Sequence, residues 1–201
     1  PADTFTLGAA NVTLYAQWSA VIVTYTITYG TPNSDGGTAP ANTTGNGSVT
    51  LRSNSGNLTR SGYTFGGWSE TVEGSAIGTA TYTTTTNRTL YAVWNAIDYN
   101  FTFTTAHGST PATITKNIGQ RFTLPTLTAA GFYFAGWKVG SQTFDAGYSY
   151  LVETSDVAFT ATWIQIFDVH YNFNGAKENA PADNPQLDGA VISAAAAPTR
   201  D

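Results

Sequence analysis

Apolar and polar residues alternate with a period of two along three long stretches, Val21 to Tyr29, Ile97 to Thr104 and Ile164 to Phe173. Tyr25-Thr26-Ile27-Thr28-Tyr29 and Tyr99-Asn100-Phe101-Thr102-Phe103 place β-branched and aromatic types at the apolar positions, which suits a half-buried pleated strand. Val49 with Leu51 extends the strand pattern in one region, and Ile114, Ile118, Phe122 and Leu124 do so in another. The connections between them are rich in Gly, Pro and Thr, a composition that does not hold a long helix. The best helical candidate is the Ala-rich Ile192 to Ala197, two turns at most. The pattern predicts an all-β to α+β fold of small units with little or no helix.

The chain repeats itself. Gly62-Tyr63-Thr64-Phe65-Gly66-Gly67-Trp68 matches Gly131-Phe132-Tyr133-Phe134-Ala135-Gly136-Trp137, and each is followed by a Trp-ended strand, Thr89 to Trp94 and Ala158 to Trp163. Trp68 to Trp94 and Trp137 to Trp163 are both 26 residues, an interval that chance rarely preserves. A third Trp-ended strand, Val12 to Trp18, lies near the start. The predicted layout is the closing half of a repeat at 1–18, full repeats at 20–95 and 96–164, and an opening half at 165–201. The first full copy is the longer, with a Thr/Asn-rich loop broken by Gly36-Gly37 and Gly45-Asn46-Gly47.

Units of about 70 residues must bury a large fraction of their apolar surface to be stable, and one aromatic side chain buries roughly 150 to 250 Å². The expected core therefore comprises Trp18, Tyr63, Phe65, Trp68, Leu90, Trp94, Phe132, Phe134, Trp137, Phe159 and Trp163. Tyr63, Phe65 and Trp68 cannot share one face under strict alternation, so Gly66-Gly67 and Ala135-Gly136 mark a bulge or bend. The competing reading of the Trp residues is a sugar-stacking platform. Their recurrence beside aliphatic neighbours favours packing.

The Gly-Tyr-x-Phe-x-Gly-Trp strand at Gly62 to Trp68, followed by Leu90-Tyr91-Ala92-Val93-Trp94, resembles the Listeria-Bacteroides repeat, the family that includes the B-repeat of internalin B. The resemblance implies compact β-grasp-like units in tandem arrays on secreted or wall-attached bacterial proteins, where they act as stalks, spacers and adhesion modules. The second copy departs from the pattern at Phe132-Tyr133 and at Phe159-Thr160, which keeps the aromatic bulk but leaves any shared ligand surface open.

Composition narrows the chemistry. Charged residues are 10% of the chain against about 25% in an average soluble domain, and Cys and Met are absent. Disulfides, thiol catalysis and Cys-metal sites are thereby excluded, and an exposed, oxidising location is accommodated. A net charge of -5 with scattered Lys and Arg disfavours nucleic acid and anionic membranes, which need a basic patch. No apolar run is long enough to span a bilayer. The chain starts Pro1-Ala2-Asp3, so a secreted parent would make it an internal or processed piece.

Candidate chemistry is sparse. His107 and His170 lack a paired spacing for a metal. Glu70 with Glu73 and Asp183 with Asp188 are carboxylate pairs in loops, where a glycosidase would need a cleft between them. Asp35 is a weak Ca²⁺ candidate; Lys116, Lys138 and Lys177 are isopeptide candidates; Asn11, Asn42, Asn46, Asn57 and Asn87 head acceptor sequons of the number that composition gives. No catalytic residue, metal or cofactor is expected. The leading expectation is an extracellular spacer whose partners are adjacent repeats. The alternative is a binding module for a glycan, a host or cell-surface protein, or a neighbouring copy through exposed strand edges.

Overall fold

The computed structural model describes residues 4, 6, 8–169 and 184–189. Among them there is no helix, and they form an all-β structure of fourteen strands. The first repeat contains β1 (Tyr25–Gly30), β2 (Thr43–Gly45), β3 (Ser48–Thr50), β4 (Tyr63–Ser69), β5 (Thr81–Thr83) and β6 (Arg88–Ala96). The second contains β7 (Tyr99–Thr104), β8 (Ile114–Lys116), β9 (Arg121–Thr123), β10 (Phe132–Val139), β11 (Gln142–Phe144), β12 (Ser149–Leu151) and β13 (Val157–Val169). Last comes β14 (Asn184–Leu187), paired antiparallel with the end of β13. The Ile192 to Ala197 segment, His170, Asp183 and Lys177 lie outside the described residues.

Each repeat builds a mixed sheet around one parallel pair. In the first, the order is β2-β1-β6-β4, and β1 runs parallel to β6 from Ile27 beside Arg88 to Gly30 beside Tyr91. In the second, the order is β11-β10-β13-β7-β8, with Phe101 beside Val157 and Thr104 beside Thr160 in the parallel pair. A parallel pair needs a long crossover, usually a helix. Here the crossover carries a two-stranded ribbon instead: β3 with β5, Val49 opposite Tyr82, and β9 with β12, Phe122 opposite Tyr150.

Side chains alternate across the sheets as the period of two predicts. Tyr99, Phe101 and Phe103 are buried while Asn100, Thr102 and Thr104 are exposed. The inner face of the second repeat joins the ribbon's Phe122 to Leu124, Phe134, Trp137, Val152 and Phe159 in one cluster. The register makes Ile27, Val49 and Leu90 the first-repeat counterparts of Phe101, Phe122 and Phe159. All six are buried.

The expected bend in the Gly-aromatic strand is present: the β10–β13 register shifts between Phe134 and Gly136. Gly67 (φ 116°) and Gly136 (φ 113°) occupy the equivalent position, and a Cβ at Gly136 would lie 2.3 Å from the Phe144 carbonyl oxygen. Only glycine fits that close approach.

Packing divides the chain into two compact units. The first takes residues up to Pro32, with Gly37–Leu58 and Gly67–Val93; the second takes Asn33–Gly36, Thr59–Gly66 and the chain from Trp94 onward.

One core expectation is corrected. Trp18 is 92% exposed, and its segment forms no strand. The reason is the lack of neighbours: β6 lies between β1 and β4, and β13 between β7 and β10, whereas nothing flanks Val12 to Trp18 among the described residues. The alternating stretch that follows is also shorter than expected, because Val21 to Val23 are exposed and the strand begins at Tyr25.

Candidate functional site

The aromatic residues of the two motifs fall into an inner and an outer set. Trp68 and Trp137 are 3% and 0% exposed, and each indole N–H donates to the main-chain carbonyl two residues past the first ribbon strand. Trp68 Nε1 donates to Arg52 O at 2.6 Å, and Trp137 Nε1 to Pro125 O at 2.7 Å. Each packs against the ring at the end of the opening strand, Tyr29 at 4.6 Å and Phe103 at 5.0 Å between centroids. A buried aromatic with its polar atom satisfied is a structural anchor with no face left for a sugar.

Leu90, Phe134 and Phe159 are buried with them, while Tyr63, Phe65, Trp94, Phe132 and Trp163 are only partly buried. The partly buried indoles pair across strands: Trp94 with Phe65 at 6.1 Å, and Trp163 with the buried Phe134 at 5.2 Å. Trp163 Nε1 donates to Thr105 Oγ1 at 2.9 Å. His107 stacks on Phe132 at 3.7 Å and meets Trp163 edge-on. In the first repeat Arg60 covers the equivalent ring, its guanidinium 3.9 Å from the Tyr63 centroid.

The acidic candidates do not converge. Glu70 accepts a hydrogen bond from the Tyr82 hydroxyl at 2.9 Å. Burial first, then that bond and the charge of Glu70, push the Tyr82 phenol up, so it stays a donor at neutral pH. Glu73 sits at φ 62° in a turn. Asp35 accepts from the Ser61 main-chain N–H, which together with the Ser61 side chain holds its carboxyl below the ordinary Asp value. Asp188 uses its main-chain N–H to bond Gln165 O. Among the described residues no three His, Asp or Glu side chains gather where a metal could sit.

A shallow open groove runs along Thr43–Gly45 and Ser48–Ser53, lined by threonine and serine hydroxyls and by Val49 and Leu51, with Arg52 as the charged residue of its lining. The solvent faces of the sheets are dressed with threonine: Thr28 beside Thr89, Thr104 beside Thr160. Thr104 and Thr160 hydroxyls lie 3.3 Å apart.

Sequence reasoning did not find the indole acceptors. Arg52 and Pro125 contribute main-chain oxygens, which leave no residue-type signature; only their shared place three residues after a buried ribbon residue, Val49 or Phe122, marks them. Thr105 was likewise invisible as a partner for Trp163.

Two copies of one β unit, with the same parallel pair, positive-φ glycine and anchored indole, define a tandem-repeat protein. The chain belongs to the Listeria-Bacteroides repeat family, whose domain matches residues 25–93 and 99–161. A protein of Evansella cellulosilytica named as a Gly-rich membrane protein is 30% identical over 174 residues, covering 77% of this chain. The chain spans only 20% of that relative's length. Among solved structures, Streptococcal High Identity Repeats in Tandem domains 3–4 from a cell surface protein align over 69% of this chain and 96% of theirs, at 18% identity and a TM-score of 0.27. No helix among the described residues is long and apolar enough to cross a membrane.

Proposed function

We propose that this chain is a spacer segment of a bacterial surface or secreted adhesin, set outside the cell or on its wall, with no catalytic role. The observation that carries the reading is the duplicated indole anchor. In both repeats the Trp of the Gly-aromatic strand is spent on the core and its N–H on the main chain just past the ribbon strand, while Thr28, Thr89, Thr104 and Thr160 put small neutral hydroxyls on the outward faces of the parallel pairs. Surfaces of that kind tolerate exposure and offer little to a specific ligand. We read each unit as β-grasp-like, with the central parallel pair as support and the ribbon in the place of the usual helix. Membership of a family that occurs in tandem favours adjacent repeats as the partners. The relative's name as a membrane protein agrees with a surface setting.

The test is an array of glycans and host matrix proteins probed with the whole chain, alongside replacement of residues 20–164 in a parent adhesin by an unrelated pair of β repeats. A spacer gives no saturable binding and is replaceable. Saturable binding lost on mutating Arg52, or adhesion that the substitute repeats do not restore, would favour the binding-module reading instead.

A further inference from the structure

Two short pieces of the first sequence repeat, Asn33–Gly36 and Thr59–Gly66, belong to the compact unit that holds the second repeat. They are tied to each other: Asp35 N–H donates to Thr59 O at 2.8 Å, Thr59 N–H to Gly36 O at 3.1 Å, and the Asp35 carboxylate accepts from Ser61 N–H. They are also tied forward. Ile97 N–H, just past the end of β6, donates to Gly62 O at 2.9 Å. Asn117, from the second repeat's loop, holds the strand junction by donating from Nδ2 to Ile97 O at 2.9 Å and to Asp98 Oδ1 at 2.7 Å.

The fit is close at Gly62. Its φ is 77°, and a Cβ there would lie 2.7 Å from Ile118 Cγ2, a side chain that itself packs on the second repeat's core. The forward bond recurs at the next junction, where Ile166 N–H donates to Gly131 O at 2.8 Å. The spacing from acceptor to donor is 35 residues both times.

We infer that the cooperative folding unit is out of phase with the sequence repeat: the turn opening each Gly-aromatic strand is a docking surface for the opening hairpin of the next repeat, and it gains and loses structure with that successor. The main-chain bond from the strand leaving the Trp-ended segment to the glycine carbonyl is common to both junctions, while the Gly62–Ile118 fit and the Asn117 bonds are particular to the first.

Native-state amide exchange on the full chain tests this, because segments that open together share a free energy of opening. Phe159→Leu weakens the second core and Ile27→Val the first, each at a fully buried position. Reporter amides are Leu51 and Thr84 for the first repeat, Leu124 and Val152 for the second, and Asp35, Thr59 and Ile97 for the docked turn, all hydrogen-bonded. With Phe159→Leu, the turn amides should exchange about tenfold faster, in step with Leu124 and Val152, while Leu51 and Thr84 hold. With Ile27→Val the turn should hold while Leu51 and Thr84 speed up. Turn amides that follow Ile27→Val overturn the inference, and so does a uniform change along the chain. If Phe159→Leu prevents folding of the second repeat, Leu124→Val gives the same readout at smaller cost.

Discussion

Val12 to Trp18 and Thr89 to Trp94 are close to the same sequence, yet the first forms no strand and leaves its indole in water, whereas the second is the middle of a sheet. Ala158 to Trp163 sides with the second, although it has lost the Leu-Tyr pair. The Trp-ended segment therefore has no structure of its own making. Its hydrogen bonds and its apolar face are completed by two flanking strands, one parallel from the opening of the repeat and one from the Gly-aromatic motif. Both lie tens of residues away, so strand formation here is paid for by loop closure and repaid by burial.

Truncating the indole in each setting gives the largest expected contrast between the two segments. Trp163→Ala should lower the unfolding free energy by about 2–4 kcal/mol in urea titrations, since it removes contacts with Phe134, Phe132 and His107. Trp18→Ala should stay within about 0.5 kcal/mol of the parent, as an exposed position does. Equal effects would mean that Trp18 is held by something other than a sheet. A finer probe is Thr105→Val, which keeps the shape beside Trp163 but removes the hydroxyl that accepts from the indole and bonds the His107 main chain. The expected loss is about 1 kcal/mol, with a shift of the indole N–H resonance as the independent check.

The smallest effect concerns Asp35, whose carboxyl is held low mainly by the Ser61 N–H. A folded-state value below the unfolded one contributes stability that is present above about pH 4 and is lost as the pH falls through the lower value. Thermal melts of the parent and of Asp35→Asn should therefore differ at pH 6 and converge towards pH 2. Curves that stay parallel across that range would remove the carboxylate from the account.

How far the sequence foretells this structure depends on the range of the interaction. The period of two and the repeated Gly-aromatic and Trp-ended strands disclose the all-β class, the two copies and the bend at Ala135-Gly136, because each is written in neighbouring residues. Burial of Trp68 and Trp137 follows from the same motif. The exposure of Trp18 does not, because it depends on strands that are elsewhere. Neither do the carbonyls of Arg52 and Pro125, nor the attachment of Thr59–Gly66 to the second unit, since main-chain partners carry no letter code. The identity of Phe101, Phe122 and Phe159 as counterparts of Ile27, Val49 and Leu90 also emerges only from register. One repeat fills with rings the place that the other fills with aliphatic chains.

The parallel pairing of first and last strands has a mechanical consequence. A tug on the two ends of a repeat draws β1 and β6, or β7 and β13, past one another along their length. The ladder bonds between them are then loaded side by side and must rupture together, rather than opening one at a time like a zip. Resistance to stretching is thus built into the wiring of each module, whatever residues its surface displays.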